Sequence, residues 1–134
     1  MQGRVVAIGE STRSKSYEDL VAWQRAMDLV DAVYVATRNW PPDERFGLTS
    51  QIRRAVVSVP ANIAEGQGRN GRAEFAHHLG IANGSLSEVE TMIRIATRQR
   101  FHSGETQDRV LEITRETGRL IHGLLRSLKA TDRR

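Results

Sequence analysis

The sequence has 134 residues, enough for one domain with a single hydrophobic core and too few for two. A hydrophobic fraction of 39% and a charged fraction of 27% are typical of globular proteins and exclude a wholly disordered chain. The absence of cysteine excludes disulfides and thiolate chemistry. Because no apolar run approaches a membrane span or the core of a signal peptide, we expect a cytoplasmic protein without a membrane partner.

The basic residues are almost all arginine, and they give a formal net charge of +4. Lysine occurs only at Lys15 and Lys129. The planar guanidinium suits phosphate and carboxylate better than an ammonium group does. The bias therefore favours a nucleic acid or an acidic partner surface, with a GC-rich genome and solvated helix faces as the plain alternative.

Residues 1–15 show little periodicity, and we predict a flexible arm there. A first helix is predicted from Ser16, where a capping oxygen precedes acidic residues, to about residue 39, before Trp40-Pro41-Pro42. Its apolar side chains recur at steps of three and four, at Leu20, Trp23, Met27, Val30 and Tyr34.

A second helix is predicted after Asp43 as its cap. Its apolar stripe consists of Thr49, Ile52, Val56, Val59 and Ile63. Pro60 interrupts this pattern, at a usual cost of about 3 kcal/mol inside a helix. The helix either ends near residue 58 or continues through a kink. The phase of Ile63 favours the kink, followed by a glycine-rich loop over residues 65–71.

Two further helices complete the pattern. The third is predicted over residues 72–100, with Phe75, Leu79, Ala82, Leu86, Val89, Ile93 and Ala96 as its stripe. Gly80 and Gly84 within it predict the close approach of another helix. The fourth is capped by Ser103, and its stripe is Val110, Ile113, Thr117, Leu120, Leu124 and Leu128. No segment alternates with a period of two.

These patterns predict an all-α, single-domain fold, an antiparallel up-down-up-down four-helix bundle over residues 16–130, with a basic tail at residues 131–134. We find no motif for catalysis. The histidines, at His77, His78, His102 and His122, form no metal-binding motif and are expected at the surface or its boundary. We therefore expect no enzyme activity, no metal and no cofactor.

Arginines next to the proline-interrupted helix are the first candidate binding residues. Arg53 and Arg54 flank Ile52 of the stripe, so at least one needs a carboxylate or phosphate partner. Three alternatives are open: an intramolecular pair with Glu88 or Glu90, a subunit interface, and a phosphate contact. Gln51, Asn62, Glu65, Arg69 and Arg72 are the other polar residues of this region.

The last two helices carry a second basic set. Arg94 and Arg98, and likewise Arg115 and Arg119, place like charges one turn apart, which is unfavourable unless negative groups lie nearby. Glu112 and Glu116 are the expected local partners. Aromatic residues are too scarce, at 5%, to predict a base-stacking platform.

Four separate blocks resemble one bacterial family of four-helix-bundle proteins. They are YEDL with Trp23-Gln24 at residues 17–24, FGLTSQIRRA at residues 46–55, VPANIAEG at residues 59–66 and GSLSEVET at residues 84–91. The family includes proteins encoded within intervening sequences of large-subunit ribosomal RNA genes and the accessory variability determinant of diversity-generating retroelements. The likeness spans about residues 16–128, and the chain departs from it by an added amino-terminal arm and by His78 at a usually aromatic position.

The resemblance implies a non-enzymatic bundle that forms a homo-oligomer, a pentameric ring in characterised relatives. For the retroelement branch it also implies a basic surface that engages RNA or DNA and a partner reverse transcriptase. The candidate binding residues are then Arg53, Arg54, Arg69, Arg72, Arg94, Arg98, Arg115 and Arg119. The candidate family-motif and oligomer residues are Trp23, Gln51, Pro60, Asn62, Glu65 and Gly66. A kink at Pro60 would turn residues 62–69 outward towards a neighbouring subunit.

We therefore hypothesise an oligomeric binding scaffold whose basic face contacts nucleic acid and docks a protein. The alternative is a purely structural homo-oligomer whose arginines serve subunit contacts.

Overall fold

The computed structural model describes residues 16–69 and 71–132, the last two by their backbone alone. It contains four α-helices, α1 (Val21–Thr37), α2 (Leu48–Gly68), α3 (Arg72–Arg98) and α4 (Gly104–Asp132), and no strand within these residues. The all-α prediction is confirmed. The predicted arm at residues 1–15 and residues 133–134 of the predicted tail lie outside the described residues, whereas residues 131–132 still belong to α4.

The helices pack as neighbours in chain order. Among the described residues α1 contacts α2 and α4, and α3 contacts the same two helices, with no direct contact across either diagonal. Short connections between successive helices make each neighbour antiparallel. The predicted up-down-up-down bundle is thus confirmed, and its core lies along the common axis of the four helices.

The buried faces of α2 and α3 are the predicted ones. All five stripe residues of α2 are buried, and so are all those of α3 except Phe75, which is half-buried. In α4, Val110, Ile113 and Thr117 are buried, but beyond them the fully buried residue is Ile121, with the predicted Leu120 only half-buried. The periodicity therefore identifies these faces to within one residue.

The predicted stripe of α1 is wrong by one residue. The buried residues are Ala22, Ala26, Leu29, Val33 and Thr37. Met27 and Tyr34 of the predicted stripe are 38% and 36% exposed. The predicted and the observed sets of residues both recur at steps of three and four. The predicted set contains the larger side chains, so the sequence favours it. The small alanines face the core because they let α1 approach its neighbours closely.

Of the three predicted helix caps, only Ser103 caps the helix for which it was predicted. Ser16 accepts from the Glu18 amide at 3.0 Å, but it caps a 3₁₀ turn, Tyr17–Asp19, that precedes α1. Ser103 accepts from the Thr106 amide at 3.2 Å and caps α4 as predicted. Asp43 caps nothing in α2; the carboxylate of Glu44 instead accepts from the Leu48 amide at 3.0 Å.

Helix α2 continues through Pro60, as the phase of its stripe predicts, and extends to Gly68. The predicted loop over residues 65–71 is therefore too long, since its first four residues are helical. The hypothesis that residues 62–69 turn outward is also wrong, because Asn62 and Gly66 both pack against α3.

Candidate nucleic-acid and partner surfaces

A chain of polar side chains joins α2 to α3 next to Pro60. Asn62 Nδ2 donates to the Ser58 carbonyl at 2.9 Å and to the Ser58 hydroxyl at 3.0 Å. The amide oxygen of Asn62 lies 3.0 Å from His78 Nδ1, and because this oxygen can only accept, Nδ1 carries the proton. Ser85 donates to the Ser58 hydroxyl at 2.9 Å. Asn62 thus connects two helices of the same chain.

Two predictions for α3 need correction at this contact. His78 was expected at the surface or its boundary but is buried, 9% exposed, because the Asn62 amide gives its ring a buried partner. The close helix approach occurs at Gly66 and not at Gly80 or Gly84, which have nothing within 4 Å of an added Cβ. A Cβ on Gly66 would lie 2.7 Å from His78 Cβ, so only glycine fits there.

The remaining family-motif residues divide between core and surface. Pro60 is buried, and half-buried Trp23 packs edge-on against the Tyr17 ring, with centroids 5.2 Å apart. Gln51 is exposed and lines a shallow groove between α2 and α3. Glu65 is also exposed. Burial and internal contacts thus give Trp23 and Pro60 a place in the fold. Gln51 lies exposed at the groove, and exposed Glu65 pairs with Arg69 one turn away.

Within the described residues Arg53 and Arg54 form no ion pair with Glu88 or Glu90, the first of the three alternatives. Arg53 Nε donates to the Thr37 hydroxyl at 2.9 Å, and its Cζ lies 4.4 Å from the centroid of the Tyr34 ring. Arg54 donates to the Ser50 hydroxyl at 2.8 Å. Hydroxyls and an aromatic face are sufficient to position these guanidinium groups without neutralising them. The interface and phosphate alternatives therefore remain.

Arg69 is neutralised locally. It donates to Glu65 at 2.7 Å, and this hydrogen bond lowers the pKa of the Glu65 carboxyl and raises the pKa of the Arg69 guanidinium. Both side chains are about half exposed, so the pair contributes little to stability. Arg72, the first residue of α3, is exposed.

The contact of α3 with α4 carries two of the predicted arginines, Arg115 and Arg119. Arg115 and Arg119 line a groove with Glu90 and His122, which we call the α3–α4 groove. Glu90 accepts a long hydrogen bond, 3.4 Å, from Arg94 one turn away. The expected relief from Glu116 is absent, since this carboxylate pairs with Arg25 of α1 at 2.9 Å.

Three of the predicted arginines have no carboxylate partner in the described part of the chain: Arg115, Arg119 and the exposed Arg98. Three guanidinium groups on the α3 and α4 surface are therefore free to bind an external anion. Of the sequence-predicted candidates, the structure brings Arg115 and Arg119 together in one groove, and places Arg53 and Arg54 in another.

A cavity of about 620 Å³ between α1 and α4 has no counterpart in the sequence analysis. Its lining includes the apolar side chains of Ala32, Ala36, Phe101, Val110 and Ile113. Two arginines and two aspartates line it as well, at Arg25, Asp28, Asp31 and Arg109. We call it the α1–α4 cavity. Apolar side chains beside equal numbers of positive and negative charges favour a protein partner over a polyanion.

A second groove, between α1 and α2, was also missed. It is lined by Tyr34, Arg45, Phe46, Arg53, Arg54 and Val57, together with small hydroxyl residues, and we call it the α1–α2 groove. Phe46 is 89% exposed. The sequence Phe46-Gly47-Leu48 does not indicate that the phenylalanine is exposed, because its exposure depends on where the turn before α2 places the side chain.

Across residues 16–69 and 71–132, no three histidine or acidic side chains come together as metal ligands. None of the helices in that part is long and apolar enough to cross a membrane.

Comparison with known proteins gives a family. The family model described as 23S rRNA-intervening sequence protein matches residues 18–123. Curated proteins give no match. The chain is similar to a solved protein of unknown function from the S23 ribosomal protein family of Bacteroides thetaiotaomicron, with 22% identity, a TM-score of 0.70 and coverage of 78% of this chain and 97% of that chain. This structural likeness supports the fold alone. Since the family match spans most of the sequence, the chain belongs to the 23S rRNA-intervening sequence protein family.

Proposed function

We propose that the protein is a non-enzymatic, oligomeric binding scaffold that contacts nucleic acid through the α3–α4 groove. The observation that carries the proposal is the pair Arg115 and Arg119, one turn apart and without a carboxylate partner among the described residues. Like charges at this spacing destabilise a helix by a few tenths of a kcal/mol. A phosphate between them would turn that cost into two charge-assisted hydrogen bonds.

RNA is the first ligand to test, since the family takes its name from a sequence within a ribosomal RNA gene. Contacts to phosphate carry no sequence information, so we expect little sequence preference. The net charge of +4 adds a favourable long-range field. Such a scaffold would work in the cytoplasm and would present bound nucleic acid to a second protein, of the reverse-transcriptase class for a retroelement relative.

The test is the salt dependence of binding to a labelled RNA duplex and to a DNA duplex of the same sequence. We expect the logarithm of affinity to fall linearly with the logarithm of salt concentration. Arg115→Ala and Arg119→Ala should each lower that slope by about 1, whereas the matched control Arg38→Ala, exposed just after the end of α1, should lower it less. Absence of salt-sensitive binding at about 50 mM salt would overturn the nucleic-acid part.

Self-assembly is the second part of the proposal, and the α1–α4 cavity is its candidate contact. Its two arginines and two aspartates would let opposite charges meet if the cavity faced its own copy across a two-fold axis. Val35 at its edge is 56% exposed. If assembly occurs without nucleic-acid binding, the alternative function holds, that of a purely structural homo-oligomer.

A further inference from the structure

The α1–α2 groove combines features that the α3–α4 groove lacks. Two aromatic rings, Tyr34 and Phe46, and three arginines, Arg45, Arg53 and Arg54, line a space of about 570 Å³. None of the described residues that line it is acidic. A groove with aromatic faces and uncompensated arginines is the arrangement by which proteins hold unpaired nucleotides.

Phe46 offers a flat apolar surface. It is 89% exposed, the largest exposed fraction among the exposed large apolar side chains, which otherwise range up to 59%. The Cζ atom of Arg45 lies 5.4 Å from the centroid of the Phe46 ring. The guanidinium therefore occupies one side of the ring, and its opposite side is open to a stacking partner.

The other two arginines are held in place before any ligand arrives. Arg53 is fixed by its hydrogen bond to Thr37 and its position over the Tyr34 ring, and Arg54 by its hydrogen bond to Ser50. Side chains held in this way lose less conformational entropy on binding than free ones. Because the groups that hold them are neutral, no partner in these contacts compensates their positive charges.

We infer that the α1–α2 groove binds single-stranded nucleic acid, with one base stacked on Phe46 and the adjoining phosphates on Arg53 and Arg54. This inference deepens the nucleic-acid part of the proposed function and rests on it for the class of ligand. It adds a distinct site for unpaired nucleotides. The low aromatic content of the sequence did not indicate that Tyr34 and Phe46 would line the same groove.

Charge argues against the other occupants of such a surface. A second copy of this chain would bring a net charge of +4 towards three arginines. An apolar protein surface would leave these guanidinium groups buried without partners, which is costly. A polyanion whose repeating units carry flat rings satisfies both the charges and the exposed ring.

The experiment compares a single strand of about five nucleotides, in RNA and DNA arms, with an RNA duplex of about 12 base pairs. The strand carries 2-aminopurine, whose fluorescence falls when it stacks. We expect Phe46→Ala to weaken strand binding about 5- to 100-fold and to abolish the fluorescence change. Phe46→Trp should retain both, and Ile95→Ala, an exposed apolar control on α3, should behave as wild type.

Duplex binding separates the two sites. Phe46→Ala should leave duplex affinity unchanged, and Arg119→Ala should weaken duplex binding while leaving the short strand bound. Wild-type strand binding by Phe46→Ala would overturn the inference. A lower molar mass of Phe46→Ala in light scattering would also overturn it, because the groove would then bind a second copy of the chain. So would displacement of the strand by poly-glutamate as effective as displacement by unlabelled strand, because the groove would then bind acidic peptides. If the wild-type protein binds the short strand but not the duplex, only the proposed site in the α3–α4 groove is overturned.

Discussion

The indole Nε1 of Trp40 donates a hydrogen bond to His102 Nδ1 across 3.1 Å, and this bond fixes the tautomer of the histidine. An indole N–H only donates, so Nδ1 is unprotonated and the ring proton lies on Nε2. Nε2 lies 2.8 Å from the Thr97 hydroxyl, which in turn donates to the Ile93 carbonyl at 3.0 Å. Neutral His102 therefore links the turn after α1 to the end of α3.

Protonation of His102 should destabilise the fold. Burial lowers the pKa of His102 below its ordinary value of 6.5, so the unfolded chain binds this proton more readily than the folded one. The contribution to stability is fully present above pH 6.5 and is lost as the pH falls through the lowered folded-state pKa. We expect the urea midpoint to fall between about pH 7.5 and about pH 5.

The control is His102→Gln, which lacks the titrating group. The pH dependence of the wild type should exceed that of this variant, and the emission of Trp40, read in a Trp23→Phe background, should change over the same range. Parallel pH profiles for wild type and His102→Gln would contradict the role assigned to this histidine.

Gly66→Ala should destabilise the bundle by about 1–3 kcal/mol because its Cβ would overlap the Cβ of His78 at 2.7 Å. Gly80→Ala is the matched control. It also replaces a glycine within an α-helix, but its added Cβ meets nothing within 4 Å. We expect this control to be neutral or stabilising by up to about 1 kcal/mol. Equal effects of the two substitutions in urea unfolding would argue against a close contact at Gly66.

Asn62→Ala should cost about 1–3 kcal/mol by leaving the buried Nδ1–H of His78 without its acceptor. A double-mutant cycle with His78→Ala isolates the pair, and we expect a coupling energy of at least 0.5 kcal/mol. Asn39→Ala, on exposed surface, is the control and should be near neutral. Additive effects of the Asn62 and His78 substitutions would show that the 3.0 Å contact contributes no stability.

Apolar periodicity was enough to predict the helices but not every buried face. The stripes of α2 and α3 contain one apolar row each, and both were predicted correctly. Helix α1 contains two adjacent rows, and only the packed bundle shows that the row with Ala22 and Ala26 faces inward. Helix α2 likewise continues through Pro60 because its stripe stays in phase, a feature that a local propensity rule would have missed.

The candidate sites were less predictable, because they depend on which side chains meet across helices. Arg53 lies close to Tyr34 only after α1 and α2 pack, and nothing in the spacing of the two residues indicates the 4.4 Å contact. The sequence likewise paired Glu116 with its neighbours on α4, whereas the nearest cation in the fold is Arg25 of α1. The proximity of basic residues along one helix, such as Arg115 and Arg119, could be predicted from their spacing in the sequence.

Val35→Asp should weaken self-assembly if copies of the chain meet at the α1–α4 cavity. Val35 lines this cavity and is 56% exposed, so the substitution adds charge to a surface that the assembly would bury without disturbing the core. We expect the molar mass measured by light scattering to fall towards the 15.0 kDa of one chain. Val21→Asp is the matched control, because Val21 is equally exposed, at 59%, but does not line the cavity.

The same variant connects assembly to nucleic-acid binding. A monomer retains Arg115 and Arg119 but loses the gain from several linked sites, so we expect Val35→Asp to bind a long RNA at least about tenfold more weakly, with affinity for a short duplex unchanged. If Val35→Asp keeps the wild-type mass while Val21→Asp loses it, the contact lies at the start of α1. A wild-type chain of 15.0 kDa in solution would remove the oligomeric part of the proposal.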